Sequence, residues 1–329
     1  MSVALFTLGG TIAMAGRAPD RRAGDGVARL TGAELTAAVP GLADAGAPLD
    51  VRDTHAVPSA HLTYRQVLDL VADASRAVAA GARGVVVTQG TDTLEETAFL
   101  VDLVWPHAEP FVLTGAMRNP TLAGPDGPAN LLAAVRVAAS PAARDLGALI
   151  VFNDEIHAAR WARKTHSTST ATIASPNAGP LGHVVEGRVR LLTSPPRREP
   201  LPVPAEPSAA RVALYTVTFD DDGLLLDGVA EHHDGLILAG FGVGHVPATL
   251  VPALGDLAAR MPVVLTSRSG SGSVLRNTYG AAGSETDLQR RGLINGGLLD
   301  PYKAKVLLRT LLANGAGRED IAAAFARLG

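Results

Sequence analysis

The sequence contains no cysteine. Disulfides, thiolate metal sites and cysteine nucleophiles are therefore excluded, although the absence says nothing about compartment. No apolar run is long enough to span a bilayer. Net charge is only −3 and the pI is near 6.3, so there is no electrostatic footprint for nucleic acid or an anionic membrane. Aromatic residues make up 4% of the chain, and tyrosine occurs only at 64, 215, 279 and 302. Lysine is scarcer still: Lys164, Lys303 and Lys305 stand among 29 basic residues, the rest being arginine. Lysine can be tuned to give up its proton and arginine cannot, so a lone lysine in an arginine-rich chain marks a candidate for chemistry.

What is present is apolar. Hydrophobic residues make up 47% and charged residues 19% of 329 positions, enough for sizeable cores. The length suggests two domains. The stretch 194–208, "SPPRREPLPVPAEPS", carries six prolines and reads as an extended linker between residues 1–193 and 209–329. Residues 3–16 are read as mature protein rather than a leader, because no basic residue precedes them and Gly9-Gly10-Thr11 interrupts the run. A cytoplasmic chain is expected.

Short apolar runs predict strands at 3–8, 84–88, 111–114 and 147–152, with helices near 63–80, 93–104 and 128–139. After the linker the same rhythm predicts strands at 212–218, 235–239 and 262–266 and a helix from Pro301 to about Leu312. The strands are almost wholly apolar, which suits parallel sheets covered on both faces. The expected fold is thus α/β: two doubly wound α/β domains joined by the proline-rich linker. Thr63, Thr93 with Glu96, Asp126 with Pro128, and Asp300 are the expected helix-start signals.

Two segments share one grammar. "LFTLGGTIAM" (5–14) and "VVVTQGTDTLEET" (85–97) each run from a strand into glycine and then threonine. In open parallel sheets, ligands sit at the carboxyl ends of strands. Glycine lets the backbone approach a ligand, and a helix N-terminus favours developing negative charge. Neither segment has dinucleotide or P-loop spacing, so a nucleotide-dependent oxidoreductase is excluded. Read singly, Asp92 and Thr93 are ordinary helix caps, Thr11 an ordinary turn residue, Lys164 in "ARKTHSTST" a solvated loop lysine and Glu285 in "GSETDL" a surface acid. Read together, Lys164 is a base beside Thr91 and Asp92, because a hydroxyl is a poor nucleophile until something accepts its proton. None of the nine histidines, at 55, 61, 107, 157, 166, 183, 232, 233 and 245, shows a convincing metal-ligand spacing.

With "LTGAMRNP" and "GPDGPANLLAAVRVA", and with "GGLLDPYKAKVLL" near the end, these motifs resemble the bacterial-type L-asparaginases over nearly the whole chain. The resemblance implies hydrolysis of the L-asparagine side-chain amide to L-aspartate and ammonia through a threonine acyl-enzyme, with L-glutamine as a secondary substrate. It implies no metal and no organic cofactor. By motif, Thr11 is the family's usual nucleophile, while Thr91, Asp92 and Lys164 form a second triad. Ser59 falls where the family grips the α-carboxylate, and Asp92 would hold the α-ammonium. Gly10, Gly90, Ala60 and His245 fall at positions lining the substrate. Glu285 matches a glutamate donated by a neighbouring subunit, which implies an intimate homodimer and commonly a tetramer.

Three departures stand out. The family's loop tyrosine has no counterpart between Thr11 and Tyr64; Asp25 lies near its expected place, and Tyr279 is the candidate substitute. Ala60 stands where the family often has glutamine, and His245 where it often has asparagine. Which threonine attacks first, and the ranking of the two amides, stay open on sequence alone. Two rival readings fit less well. The archaeal glutamyl-tRNA amidotransferase subunit shares the fold, but no basic patch suggests tRNA. A non-catalytic amino-acid-binding module would explain the missing tyrosine, but mere binding does not require Lys164.

Overall fold

The computed structural model describes residues 1–13, 30–120, 122–207 and 210–329. Asp25 and Ser208 lie outside the described residues. The chain forms two compact units, Met1–Leu201 and Pro202–Gly329.

The first unit runs β1 (Val3–Thr7), α1 (Gly32–Ala37), β2 (Leu49–Asp53), α2 (Tyr64–Ala79), β3 (Gly84–Thr88), α3 (Leu94–Val104), β4 (Phe111–Thr114), α4 (Gly127–Ala139) and β5 (Ala148–Phe152). It continues through β6 (Glu155–Ala158), β7 (Arg163–Lys164), β8 (Ile173–Ala174), β9 (Gly182–Val185) and β10 (Arg188–Leu191). Its main sheet has the order β10-β9-β6-β5-β4-β3-β1-β2. Strands β1 to β5 are parallel, and β1, β3, β4 and β5 are buried along their whole length. That is the burial their unbroken apolar runs predict. Val3 and Leu5 of β1 share a core cluster with α4 and with Leu35 of α1. Helices α2 and α3 pack against β3, β4 and β5 with residues outside that cluster.

The parallel expectation is incomplete at one edge. β6, β9 and β10 extend the sheet antiparallel. The turns that reverse the chain are Asn153-Asp154 (φ 52° and 59°) and Glu186-Gly187 (φ 49° and 75°). Positive φ at both central residues is the type I′ geometry that matches strand twist.

Of the expected caps, Thr63 and Asp300 bond as caps, whereas Thr93 and Asp126 do not, Asp126 accepting the N–H groups of Met117 and Arg118 instead. Thr63 caps α2 in a reciprocal box with Gln66. Pro128 enters the first turn of α4, and Asp300 accepts N–H bonds from Tyr302 and Lys303. Thr93, expected to form a capping box with Glu96, makes no cap bond. Its hydroxyl donates instead to the Ser59 carbonyl at 3.0 Å. Its oxygen accepts from Gln89 Nε2 at 3.2 Å, so a tertiary donor stands in place of the helix N–H.

The second unit comprises β11 (Val212–Thr216), α5 (Val229–His232), β12 (Gly235–Gly240), α6 (Val251–Arg260), β13 (Val263–Ser267), α7 (Glu285–Arg290), β14 (Ile294–Asn295), α8 (Pro301–Ala313) and α9 (Arg318–Leu328). Its four strands are parallel in the order β11-β12-β13-β14. Leu254 and Leu257 of α6 join Leu236, Leu238 and Leu265 in one cluster, while α8 packs along β11, β12 and β13 from outside it. Alternate residues of a strand face opposite ways, so the sheet is covered on both sides. Among the described residues, no helix is long and apolar enough to cross a membrane.

Candidate active site

The parallel part of the first sheet has the order 2-1-3-4-5. Its strand order reverses between β1 and β3, and ligand crevices of open α/β sheets form at such switch points, beyond the carboxyl ends of the strands. Both glycine-threonine loops emerge there. Thr7 pairs in register with Thr88, and Leu8 N–H donates to the Thr88 carbonyl. A Cβ on Gly10 (φ +87°) would fall 2.3 Å from the Gly90 nitrogen and 2.5 Å from its Cα. The two loops therefore touch backbone to backbone, which only glycine allows. Thr11 opens a 3-10 turn, Thr11–Ala13, and Thr91 opens another, Thr91–Thr93, that runs into α3. A cavity of about 290 Å³, lined in part by Thr7, Gly9, Ala13, Asp53 and His55, opens beside the first loop.

The structure brings three of the sequence-derived residues into direct contact. Lys164 Nζ donates to Thr91 Oγ1 at 3.0 Å and to Asp92 Oδ1 at 2.8 Å. Thr91 is buried, the Lys164 side chain is 17% exposed and Asp92 is 71% exposed. The carboxylate thus faces solvent, while the lysine is held inward. Lys164 is not on a free loop: β7 pairs it with Ile173 of β8. The Thr91 hydroxyl donates to Met117 Sδ at 3.3 Å. Sulfur is a weak acceptor, so this proton is loosely held.

Ser59 opens the 3-10 turn Ser59–His61 and is buried, yet its hydroxyl has no partner among the described residues. A buried polar atom without a partner is costly unless a ligand supplies one. Ala60 beside it is exposed.

His245, Tyr279 and Glu285 form a separate cluster within the second unit. His245 Nε2 lies 3.1 Å from Glu285 Oε2, and the His245 and Tyr279 rings meet edge to face at 4.9 Å. Glu285 Oε1 accepts the N–H groups of Thr278 and Tyr279. Burial alone would raise the Glu285 pKa, but the Tyr279 and Thr278 N–H groups and His245 outweigh it and hold the carboxyl below its usual range. Tyr279 itself is half exposed.

Sequence reading gave no role to Met117, although the quoted "LTGAMRNP" contains it, nor to His157, which looked like one scattered histidine among nine. His157 is fully buried on β6. One ring nitrogen is 3.0 Å from Ser175 Oγ, just beyond β8, and the other 3.1 Å from Glu155 Oε2. It ties the Lys164 hairpin to the main sheet. Burial lowers its pKa below the ordinary 6.5, Glu155 opposes that shift and the nearby His183 reinforces it. The unfolded chain therefore takes up this proton first as pH falls, so the contribution is complete above about pH 6.5 and is lost progressively below it. Urea unfolding followed from about pH 8 to 5 should show that loss, and His157→Gln should flatten it. An unchanged pH slope in the variant would assign the loss to other groups.

An α/β enzyme with paired threonine loops at its sheet switch point is the class that fold and site define. The chain belongs to the asparaginase family. Residues 2–197 match the model "Asparaginase, N-terminal", and residues 211–325 match "Glutaminase/Asparaginase C-terminal domain". A probable L-asparaginase of Deinococcus radiodurans is 37% identical over 98% of this chain and 96% of that protein. The L-asparaginase of Bacillus licheniformis is 33% identical over 95% of each. The glutaminase-asparaginase of Pseudomonas aeruginosa is 33% identical over 93% of this chain and 84% of that protein. Among solved structures, a probable cytoplasmic L-asparaginase from Campylobacter jejuni superimposes with a TM-score of 0.87, at 30% identity over 99% of both chains.

Proposed function

We propose that this protein hydrolyses L-asparagine to L-aspartate and ammonia, with L-glutamine as a secondary substrate, through a threonine acyl-enzyme. The observation that carries the reading is Lys164 Nζ bridging Thr91 Oγ1 and Asp92 Oδ1. Mere binding of an amino acid needs the carboxylate but not a lysine directed at a hydroxyl.

In this mechanism Thr11 Oγ attacks the amide carbon. The C–O bond forms, the C–N bond breaks, and the hydroxyl proton leaves with the nitrogen as ammonia. Water, held by Thr91 and relieved of its proton through Lys164, then opens the ester and restores the Thr11 hydroxyl. Backbone N–H groups near Gly10 and Thr91 stabilise the oxyanion, a contribution of about 10²–10³ in kcat per donor. Ser59 receives the α-carboxylate, which would satisfy its unpartnered hydroxyl, and Asp92 receives the α-ammonium. Ala60, beside Ser59, faces the substrate, and His245 does so as part of the contribution from the neighbouring subunit.

Glu285 belongs to this reading as a residue contributed across an intimate dimer, itself half of a tetramer. Its clustering with His245 and Tyr279, two more residues singled out from the sequence, supports treating them as one contribution. Contributed with Glu285 across the dimer, Tyr279 supplies the phenol that the first loop lacks, accepting the Thr11 proton as its own passes to the leaving nitrogen. The similar Campylobacter protein is described as cytoplasmic, which supports that location, while a relative from Haemophilus influenzae is described as periplasmic.

The test is ammonia release from both amides by the wild-type protein and by Thr11→Ala, Thr91→Ala and Tyr279→Phe. Either alanine variant should lose about 10³-fold or more in kcat, since members of a catalytic set act as a unit. Mass spectrometry of a trapped adduct should place it on Thr11. An adduct on Thr91 reverses the two roles, full kcat in Tyr279→Phe removes the phenol, and no release by the wild-type protein removes the reading.

A further inference from the structure

Thr93 stands where a helix N-cap is expected, and it does not cap. Its hydroxyl donates to the Ser59 carbonyl at 3.0 Å. Its oxygen accepts from Gln89 Nε2, which donates to Thr93 Oγ1 at 3.2 Å and to Thr97 Oγ1 at 3.1 Å. Gln89 is fully buried just beyond β3, and a carbonyl can only accept, so the bond to Ser59 uses the Thr93 proton. With the amide donating to Thr93, the only hydroxyl proton points at Ser59. The clamp joins two turns that are 34 residues apart in sequence. One begins with Ser59, the other with Thr91. Between them the fit is tight: a Cβ on Gly90 would lie 2.8 Å from Ser59 Oγ.

On the proposed reading, one turn holds the α-carboxylate and the other reaches from the α-ammonium, at Asp92, to the amide. Ser59 takes the α-carboxylate, and Thr91 with Lys164 works at the amide. The spacing of the two anchors must then match the length of the carbon chain between carboxylate and amide. We infer that Thr93 is a positioning residue that fixes this spacing and so favours L-asparagine over the longer L-glutamine. Loosening the clamp costs the short amide its fit and costs the long one much less. One methylene in a fitted site is worth about 10–200-fold in discrimination.

The experiment measures kcat and KM for both amides in Thr93→Val and Thr93→Ser, with melting temperatures as a control on folding. Thr93→Val keeps the side-chain shape and removes the hydroxyl. It should raise KM for L-asparagine about tenfold, the scale of one lost hydrogen bond, with kcat within about twofold. The kcat/KM for L-glutamine should change less than about twofold, so the preference ratio falls about tenfold. Thr93→Ser keeps the donor and should behave as wild type. In a Ser59→Ala background, Thr93→Val should add little, because the anchor it positions is gone. Equal losses on both amides, or a Thr93→Ser variant as impaired as Thr93→Val, would overturn the inference while leaving the hydrolase reading intact. Full additivity with Ser59→Ala would also overturn it. A wild-type protein that releases no ammonia would remove the underlying reading instead.

Discussion

Replacing Lys164 by methionine is expected to lower kcat for ammonia release by about 10³-fold, with KM changed only a few-fold. Methionine fills much the same volume and cannot donate or accept the proton. Two contacts disappear at once, the 3.0 Å bond to Thr91 Oγ1 and the 2.8 Å pair with Asp92. Asp92 is largely exposed, so its loss of the ion pair is cushioned by water and contributes little to stability. The damage should therefore appear in chemistry and not in the melting temperature. Steady-state kinetics with both amides, beside a thermal melt, checks this. A KM rise at unchanged kcat would recast Lys164 as a binding residue.

Gly10→Ala should be nearly as severe, for a different reason. Its backbone sits at φ +87°, which costs a residue with a Cβ roughly 1–2 kcal/mol. The added carbon would also overlap Gly90, at 2.3 Å from its nitrogen. The two threonine loops must then separate. Displacements of about 1 Å near reacting groups can cost about 10²-fold in rate, so kcat should fall by at least that much. Circular dichroism that matches the wild type would show that the sheet beneath survives. A variant of normal kcat would mean that the contact between the loops is not needed for catalysis.

Much of this architecture is legible in the sequence because the central strand runs are almost wholly apolar and some helices carry their own start signal. The strands at 84–88 and 111–114 and the caps at Thr63 and Asp300 rest on local chemistry, and the structure has them there. The antiparallel edge of β6, β9 and β10 was not legible. Its strands are short, and Glu186-Gly187 is a weak turn signal beside Asn-Gly. The expected capping box at Thr93 is absent because a local rule cannot see the partners that tertiary packing supplies, Gln89 Nε2 as donor and the Ser59 carbonyl as acceptor. His157 was passed over for the same reason: its partners Glu155 and Ser175 have no diagnostic spacing, and only burial gives the ring its meaning.

By itself the sequence determined the chemistry available. It fixed the two glycine-threonine breaks, the lone lysine before residue 303, the absence of thiols and the missing loop tyrosine. Those are matters of residue type and order. Only the tertiary structure decided which groups meet. Thr91, Asp92 and Lys164 span more than 70 residues, and the sheet closes that gap by placing a two-residue hairpin strand over the end of β3. Direction in space is a property of packing, and no local pattern encodes it.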